Sequence, residues 1–216
     1  MYGLTLFTAP TIEPISLLEV KRQVELAEDY TEHDSELQGM IQAARIYAEK
    51  ATNRQICTAT WDYYSDRFPF GLDVLRLPLA PLQSITYVKY LDAAGTLTTW
   101  NSSNYVVTTS REPGYLSLVY GSVFPQTRFQ RDAVNVRFVA GYGGQANVPQ
   151  DLKLAMLRLV NHWFVNKSAV VVGSISKELE HSVDDILEKY RVADDFLAYG
   201  RELHDGLPSF APYANY

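Results

Sequence analysis

The chain has 216 residues, of which 47% are hydrophobic and 20% charged, a composition that excludes a mostly disordered protein. Its single cysteine, Cys57, excludes an internal disulfide and a zinc site built from cysteines. No apolar run approaches the roughly 18 residues of a membrane span, and the first residues lack the basic stretch of a signal peptide. We therefore expect the protein to stay in the compartment where it is made.

The net charge of −6 is concentrated near the end of the chain. Residues 173–216 contain four basic and nine acidic side chains, a net charge of −5. The rest of the chain is close to neutral and offers no basic arm that could neutralise phosphates. We predict no tight nucleic-acid binding by the isolated chain, and the simplest interpretation of the acidic end is a solubilising tail.

Two helices are predicted in the first quarter of the chain. Ser16 and Glu19 have the spacing of a capping box, and apolar residues follow at three- and four-residue steps up to Ala27. A polar stretch at 29–33 interrupts this pattern, and a second apolar stripe runs from about residue 34 to 52. Two helices with a short break between them indicate an antiparallel helical hairpin.

From about residue 58 the chain changes to short segments rich in aromatic and β-branched residues, separated by Pro, Gly and Asp turn signals. Closely spaced segments without intervening helices predict an antiparallel sheet rather than βαβ units. The predicted strands are 61–65, 74–77, 85–90, 96–100, 105–109, 115–119 and 134–140.

Helical periodicity returns after Val148, with a third helix to about Asn166 and a shorter fourth helix over 183–190. The predicted fold class is therefore α+β. It is a small α-helical bundle of about four helices, built from both ends of the chain, with an inserted antiparallel β-rich subdomain and an extended C-terminal tail. The predicted division is 1–57 and 144–190 for the two parts of the bundle, 58–143 for the insertion and 191–216 for the tail.

One motif suggests a nucleotide-dependent enzyme. Residues 141–146, Gly-Tyr-Gly-Gly-Gln-Ala, fit G-x-G-x-x-A between a strand and a helix. A dinucleotide site also needs a βαβ unit and an acid about 20 residues further on, where Asn166 and Lys167 stand instead. We interpret the motif as a flexible linker, and an unchanged melting temperature with added nucleotides would dispose of the enzyme hypothesis.

No other motif predicts catalysis. The four histidines form no pair with metal-ligand spacing, and Cys57 has no catalytic signature around it. Adjacent acids in the last helix point in different directions and are interpreted as solvated. The sequence thus predicts no enzyme, no cofactor and no metal.

A small basic and aromatic cluster, Arg128, Phe129 and Arg131, lies on a predicted loop. Two arginines in a near-neutral region are too few for single-stranded nucleic acid, so contact with another protein is favoured. The 15 tyrosines agree with an interface-rich protein, although many tyrosines also occur in strands.

Several stretches together resemble the head–tail connector (adaptor) proteins of tailed bacteriophages and prophages. They are collinear from about residue 13 to 172, whereas residues 173–216 carry nothing characteristic. Asn53 stands where the family usually carries Gly, and Asn is also suited to a helix end. The similar stretches are Glu13–Lys21, Glu36–Ile56, Leu77–Tyr90, Val134–Gly143, Val148–Pro149 and Leu157–Val171.

The resemblance implies a structural virion protein. Members of the family resemble subunits of a ring that commonly has twelve-fold symmetry. The ring sits below the portal protein and presents a platform to a stopper, tail terminator or other neck protein. Double-stranded DNA passes through the ring without specific binding, and an acidic surface suits such a channel. The implied location is the head–tail interface of the virion, with the host cytoplasm during assembly and no membrane contact.

This role predicts two sets of contact residues. The aromatic tail from about Arg191 would dock on the portal, and the insertion and the third helix would contact neighbouring subunits. The portal set is Phe196, Tyr199, Phe210, Tyr213 and Tyr216. The subunit-interface set is Arg128, Arg131, His162 and Trp163.

The competing hypothesis is a soluble, non-enzymatic binding module whose aromatic tail acts as a peptide ligand. Electron microscopy of particles made without the gene distinguishes it from the connector.

Overall fold

The computed structural model describes residues 2–70, 74–166 and 177–192. Within these ranges the chain forms four α-helices and eight strands, the α+β class that the sequence predicts. The helices are α1 Leu17–Gln23, α2 Asp34–Thr52, α3 Gln150–Val165 and α4 Lys177–Glu188. The strands are β1 Tyr2–Thr8, β2 Ala59–Ser65, β3 Val74–Arg76, β4 Leu82–Leu91, β5 Leu97–Thr99, β6 Tyr105–Thr108, β7 Tyr115–Leu118 and β8 Val134–Ala140.

Five strands form an antiparallel sheet in the order β1-β2-β8-β4-β5. The central strand β8 alternates between the two faces of this sheet. Its residues Val136 and Phe138 are fully buried, whereas Asn135 and Arg137 lie on the opposite face and are half-buried.

A three-stranded sheet in the order β3-β7-β6 completes the β-rich part. Leu75 of β3 and Leu116 of β7 belong to the same hydrophobic cluster as Val136 and Phe138. The two sheets therefore bury one common core. Trp100, between β5 and β6, also belongs to this core.

The four helices enclose a second hydrophobic cluster. The predicted stripe of α2 is confirmed, because Leu37, Ile41, Ala44 and Ala48 are all buried against the other helices. The other residues of this stripe are partly buried and pack against the same cluster; they are Met40, Tyr47 and Ala51. The other buried contributors include Leu152, Met156 and Leu159 of α3 and Val183 and Leu187 of α4.

The helix ends follow local signals. The Glu19 amide donates to Ser16 Oγ over 3.1 Å and the Ser16 amide donates to Glu19 Oε2 over 2.6 Å, which confirms the capping box. Helix α1 ends at Gln23, earlier than the apolar pattern predicts, because Glu25 adopts a positive φ of 58°. Helix α2 ends at Thr52, and the capping residue Asn53 takes the left-handed conformation that the position requires.

Strand β1 is absent from the sequence-based predictions. It pairs with β2 and so brings the first residues of the chain into the five-stranded sheet. Tyr2 stacks on Tyr63 with ring centres 5.6 Å apart, and Leu4 packs against the sheet core. The alternation of Tyr2, Leu4 and Leu6 with smaller residues is the signal that could have revealed it.

Helix α4 begins at Lys177 and ends at Glu188, six residues earlier at its start and two earlier at its end than predicted. The first turn of this helix consists mainly of polar residues, so the apolar periodicity does not indicate where the helix begins.

Cys57 lies in the helical core with no exposed surface. Burial raises the pKa of its thiol to about 12, so the reactive thiolate is scarce at ordinary pH. We expect thiol reagents to label the native protein slowly near neutral pH and rapidly in denaturant. Mass spectrometry of the labelled chain is a clean readout because no other cysteine is present. Rapid labelling of the native protein would contradict this burial.

Candidate functional site

The predicted interface arginines both contact their own chain. The Arg128 amide donates to Leu91 O over 3.0 Å, and its guanidinium covers Gly95 so closely that a Cβ there would lie 2.2 Å from Nη1. Arg131 Nη1 forms an ion pair of 2.7 Å with Asp66, yet 80% of its side chain is exposed. Arg131 can therefore contact a partner without leaving its present position.

These arginines lie at the end of the five-stranded sheet that is farther from the helices. In the register of the sheet, Ser65 and Tyr90 both pair with Val134, whereas the opposite end leads into the helical part. We call this the distal end. Phe129, on the same loop, is fully exposed. The cluster predicted from sequence is thus accessible, and its role as an interface stays a prediction.

His162 and Trp163 occupy the last turn of α3 and are both half-buried. His162 Nδ1 lies 3.1 Å from Asn166 Nδ2, and Trp163 packs against the helical core. The neighbouring Val165 is 70% exposed. A contact by this end of α3 would therefore use Val165 together with the accessible parts of the two predicted residues.

Arg54 connects the helical part to the β-rich part. Its guanidinium donates to Tyr142 Oη over 3.1 Å, pairs with Glu112 in the loop between β6 and β7, and donates to the carbonyl of Tyr190. Burial lowers the pKa of Arg54, but the bonds to Glu112 and Tyr142 outweigh it and leave the pKa above its usual value. The guanidinium is therefore a permanent charge that holds three chain segments together.

The segment that leads into the tail is held at the end of α2. The Val192 amide donates to Thr52 O over 2.9 Å, and Asn53 Nδ2 donates to Val192 O over 3.1 Å. Arg191 Nε also donates to Ala51 O over 3.2 Å. These three bonds fix residues 191 and 192 at the end of α2. The five aromatic residues predicted to bind the portal lie outside the described residues.

The glycine motif lies where the two chain connections between helices and sheets meet. Gly141 has a φ of +123°, its amide donates to Pro81 O over 2.9 Å, and a Cβ on it would lie 2.7 Å from the backbone of Cys57. The preceding strand β8 is antiparallel to both its neighbours, so the βαβ unit of a dinucleotide site is not formed there. The interpretation as a linker agrees with this geometry.

A cleft of about 610 Å³ is lined by residues of α2, of α4 and of the segment just after α4. Its walls carry both Lys50 and Arg191 and the acids Asp184, Asp185 and Glu188. Among the residues that the structure describes, no group of three or more His, Cys, Asp or Glu side chains could hold a metal ion. The cleft offers mixed charge rather than a site for a particular ligand.

In a comparison with protein families, the family model for head completion protein matches residues 13–193. The chain belongs to the head completion protein family. This confirms the resemblance to phage head–tail connectors. The match also runs through α4, so part of the region in which the sequence analysis found nothing characteristic follows the family pattern.

Solved structures similar in fold to this chain include chains from gene transfer agent (GTA) particles. A chain from the neck of an empty GTA particle, computed with C6 symmetry, has a TM-score of 0.73, 20% identity and coverage of 88% of this chain and 96% of that chain. A chain from the virion of native GTA has a TM-score of 0.71, 20% identity and coverage of 88% and 95%. The neck of the native particle, computed with C12 symmetry, gives a TM-score of 0.67, 20% identity and coverage of 88% and 96%. A comparison with curated proteins finds no match.

Arg54 and Glu112 are not among the residues predicted from the sequence to have a role. Arg54 stands in one of the stretches that carry the resemblance, but its partners are 58, 88 and 136 residues away along the chain, so no local pattern reveals them. None of the helices described here is long and apolar enough to cross a membrane.

Proposed function

We propose that this head completion protein is a structural, non-enzymatic virion protein, a connector that forms a ring below the portal. The ring joins the DNA-filled head to the tail or to a stopper, and the genome passes through it. The family match over residues 13–193 carries this proposal. The likeness of fold to chains from GTA necks, one computed with C12 symmetry, supports the neck position and a twelve-fold ring.

The structure supplies surfaces that suit such a ring. The helical and sheet clusters are separate cores, which suits a bundle with an inserted β-rich part, except that strand β1 from the predicted bundle segment 1–57 joins the sheet. The exposed Arg131 and Phe129 at the distal end, and Val165 beside His162 and Trp163, would contact neighbouring subunits or neck proteins. Exposed acids on α4 would leave passing DNA unbound, because like charges repel.

The proposal is tested by electron microscopy of particles made when the gene is deleted. A connector is required to join two preassembled parts, so we expect packaged or leaking heads beside free tails. Resupplying the gene from a plasmid should restore joined particles and serves as the control. Normal tailed virions without the gene would overturn the connector and favour the binding module.

The predicted role of the tail can be tested with a truncation that leaves the helical bundle intact. Val192 is buried and hydrogen bonded to the end of α2, so the deletion should cover residues 193–216 and keep Val192. We expect the truncated chain to melt within about 2 °C of the full chain, since a change below roughly 0.5 kcal/mol shifts the melting temperature little. Binding to portal rings, measured by co-sedimentation, should be lost.

A full-length variant with alanine at Phe196, Tyr199, Phe210, Tyr213 and Tyr216 is the matched control for this truncation. It should lose portal binding to the same degree if these rings are the anchors. Portal binding that survives both changes would rule out the tail as the docking segment.

A further inference from the structure

We infer that the free edge of β1 is a contact site for a second copy of this chain. The inference rests on the proposed ring function. Strand β1 is the outermost strand of the five-stranded sheet, and within the described part of the chain it pairs only with β2. An edge strand presents N–H and C=O groups that another chain can pair with.

The composition of β1 does not protect this edge. Residues 3–8 read Gly-Leu-Thr-Leu-Phe-Thr and contain no charged residue and no proline, two of the features that block pairing with another chain. The register with β2 shifts between Leu6 and Thr8, so the regular part of the edge is residues 3–6. Leu6 is 44% exposed and Phe7 is 56% exposed. This uncharged stretch, with the exposed side chain of Leu6, is therefore open to association.

The edge is held in an ordered position before any partner binds. Leu4 packs against the sheet core, and the Arg137 Cζ atom lies 3.2 Å from the ring centre of Phe7. Arg137 is itself fixed by hydrogen bonds of 2.8 and 2.7 Å to the buried Asp62. An ordered edge loses little conformational entropy when another chain pairs with it.

Charge favours a second copy as the occupant. Identical chains of net charge −6 repel one another, so contacts between them are favoured where neither surface carries charge. Strand β1 is such a surface. The other edge strand of the same sheet is β5. Its three residues are also uncharged, and 62% of the surface of Leu97 is exposed. One sheet thus has two different uncharged edges. A head-to-tail ring contact joins two different surfaces, one from each of two neighbouring copies.

The inference is tested by photo-cross-linking in assembled particles. The photoreactive residue p-benzoylphenylalanine replaces Leu6, and a matched control carries it in place of Leu18, which is 40% exposed on α1. After illumination we expect position 6 to give a product of twice the 24.4 kDa chain mass, at least ten times more abundant than with position 18. A product with a different virion protein, or no product from particles that contain the chain, would overturn the inference.

A second pair of variants tests the edge without a cross-linker. Leu6→Lys places a charge on the edge, whereas Leu18→Lys places the same charge on a surface of similar exposure. We expect Leu6→Lys to reduce incorporation into particles at least tenfold with an unchanged melting temperature, and Leu18→Lys to incorporate normally. Equal incorporation of both variants would contradict a β1 contact. Particles that lack even the unmodified chain would instead refute the proposed function.

Discussion

Gly141→Ala should destabilise this protein by about 3 kcal/mol, which corresponds to a melting temperature lower by roughly 6–12 °C. Gly141 has a φ of +123°, a conformation that residues with a Cβ rarely adopt. The added Cβ would also lie 2.7 Å from the carbonyl carbon and oxygen of Cys57 and 2.8 Å from the amide nitrogen of Thr58. These are backbone atoms, so the clash cannot be relieved by turning a side chain.

The loss should appear at the junction between the helices and the sheets. The amides of Gly141 and Tyr142 donate to Pro81 and Ile56 across this junction, and both bonds depend on the close approach that glycine permits. Thermal unfolding measures the stability, and labelling of the buried Cys57 reports opening of the junction directly.

Gly144→Ala is the matched control for this substitution. Gly144 has a φ of −75°, and nothing lies within 4 Å of an added Cβ. Alanine there should leave stability unchanged or raise it by up to about 1 kcal/mol, because it restricts the unfolded chain. Equal melting temperatures for the two variants would show that Gly141 is not under the constraint described.

Arg45→Met should also destabilise the protein by about 3 kcal/mol, since it removes the positive partner of a partly buried carboxylate. The Arg45 guanidinium donates to Glu13 over 2.8 Å and to Glu49 over 2.9 Å, with 7% of its side chain exposed. Glu49 in turn accepts from the Gln55 side chain and the Ile56 amide. Methionine fills similar space but leaves Glu49 charged, partly buried and without its cationic partner.

The stability loss of Arg45→Met should depend on pH. Burial raises the pKa of Glu49, and Arg45 lowers it, so the variant raises this pKa further above the ordinary value of 4.5. A group with a raised folded-state pKa binds a proton more readily when folded, and its protonation stabilises the fold as pH falls through that pKa. The gap in unfolding free energy between wild type and variant should narrow from about pH 7 to about pH 5.

Two further variants test whether the stability loss of Arg45→Met comes from the unpaired charge of Glu49. Arg22→Met breaks an exposed pair with Glu28, in which both side chains are at least 60% exposed, and should change stability by less than about 1 kcal/mol. Glu49→Gln added to Arg45→Met should recover part of the loss, because the neutral amide needs no cation. A pH-independent gap, or no recovery, would show that Glu49 is not the group left unpaired.

Local patterns were sufficient for most of the secondary structure. The capping box at Ser16, the apolar stripe of α2 and the aromatic and β-branched segments from residue 58 onward each correspond to an observed element. These signals are readable because hydrophobic periodicity and capping depend on neighbouring residues. Strand β1 was missed, since its partner β2 lies more than 50 residues away and its own pattern is short.

The candidate contact surfaces were only partly predictable. Arg128, Arg131, His162 and Trp163 were chosen from residue type, but sequence gives no exposure, and Arg128 proves to pack on the turn at Gly95. The free edge of β1 depends on strand order, which is settled by pairing between distant segments. Residue type therefore suggested contact chemistry, whereas accessibility came from the fold.

By itself the sequence determined the α+β class, the succession of helix, strand and helix along the chain, and the resemblance to head–tail connectors. Those properties reside in composition, periodicity and short collinear stretches. Only the tertiary structure decided that Gly141 lies against the backbone of Cys57, that Arg54 joins segments 58 and 136 residues away, and that β1 ends the sheet. Each of these is a contact between residues far apart in sequence, and such contacts exist only once the two cores have packed.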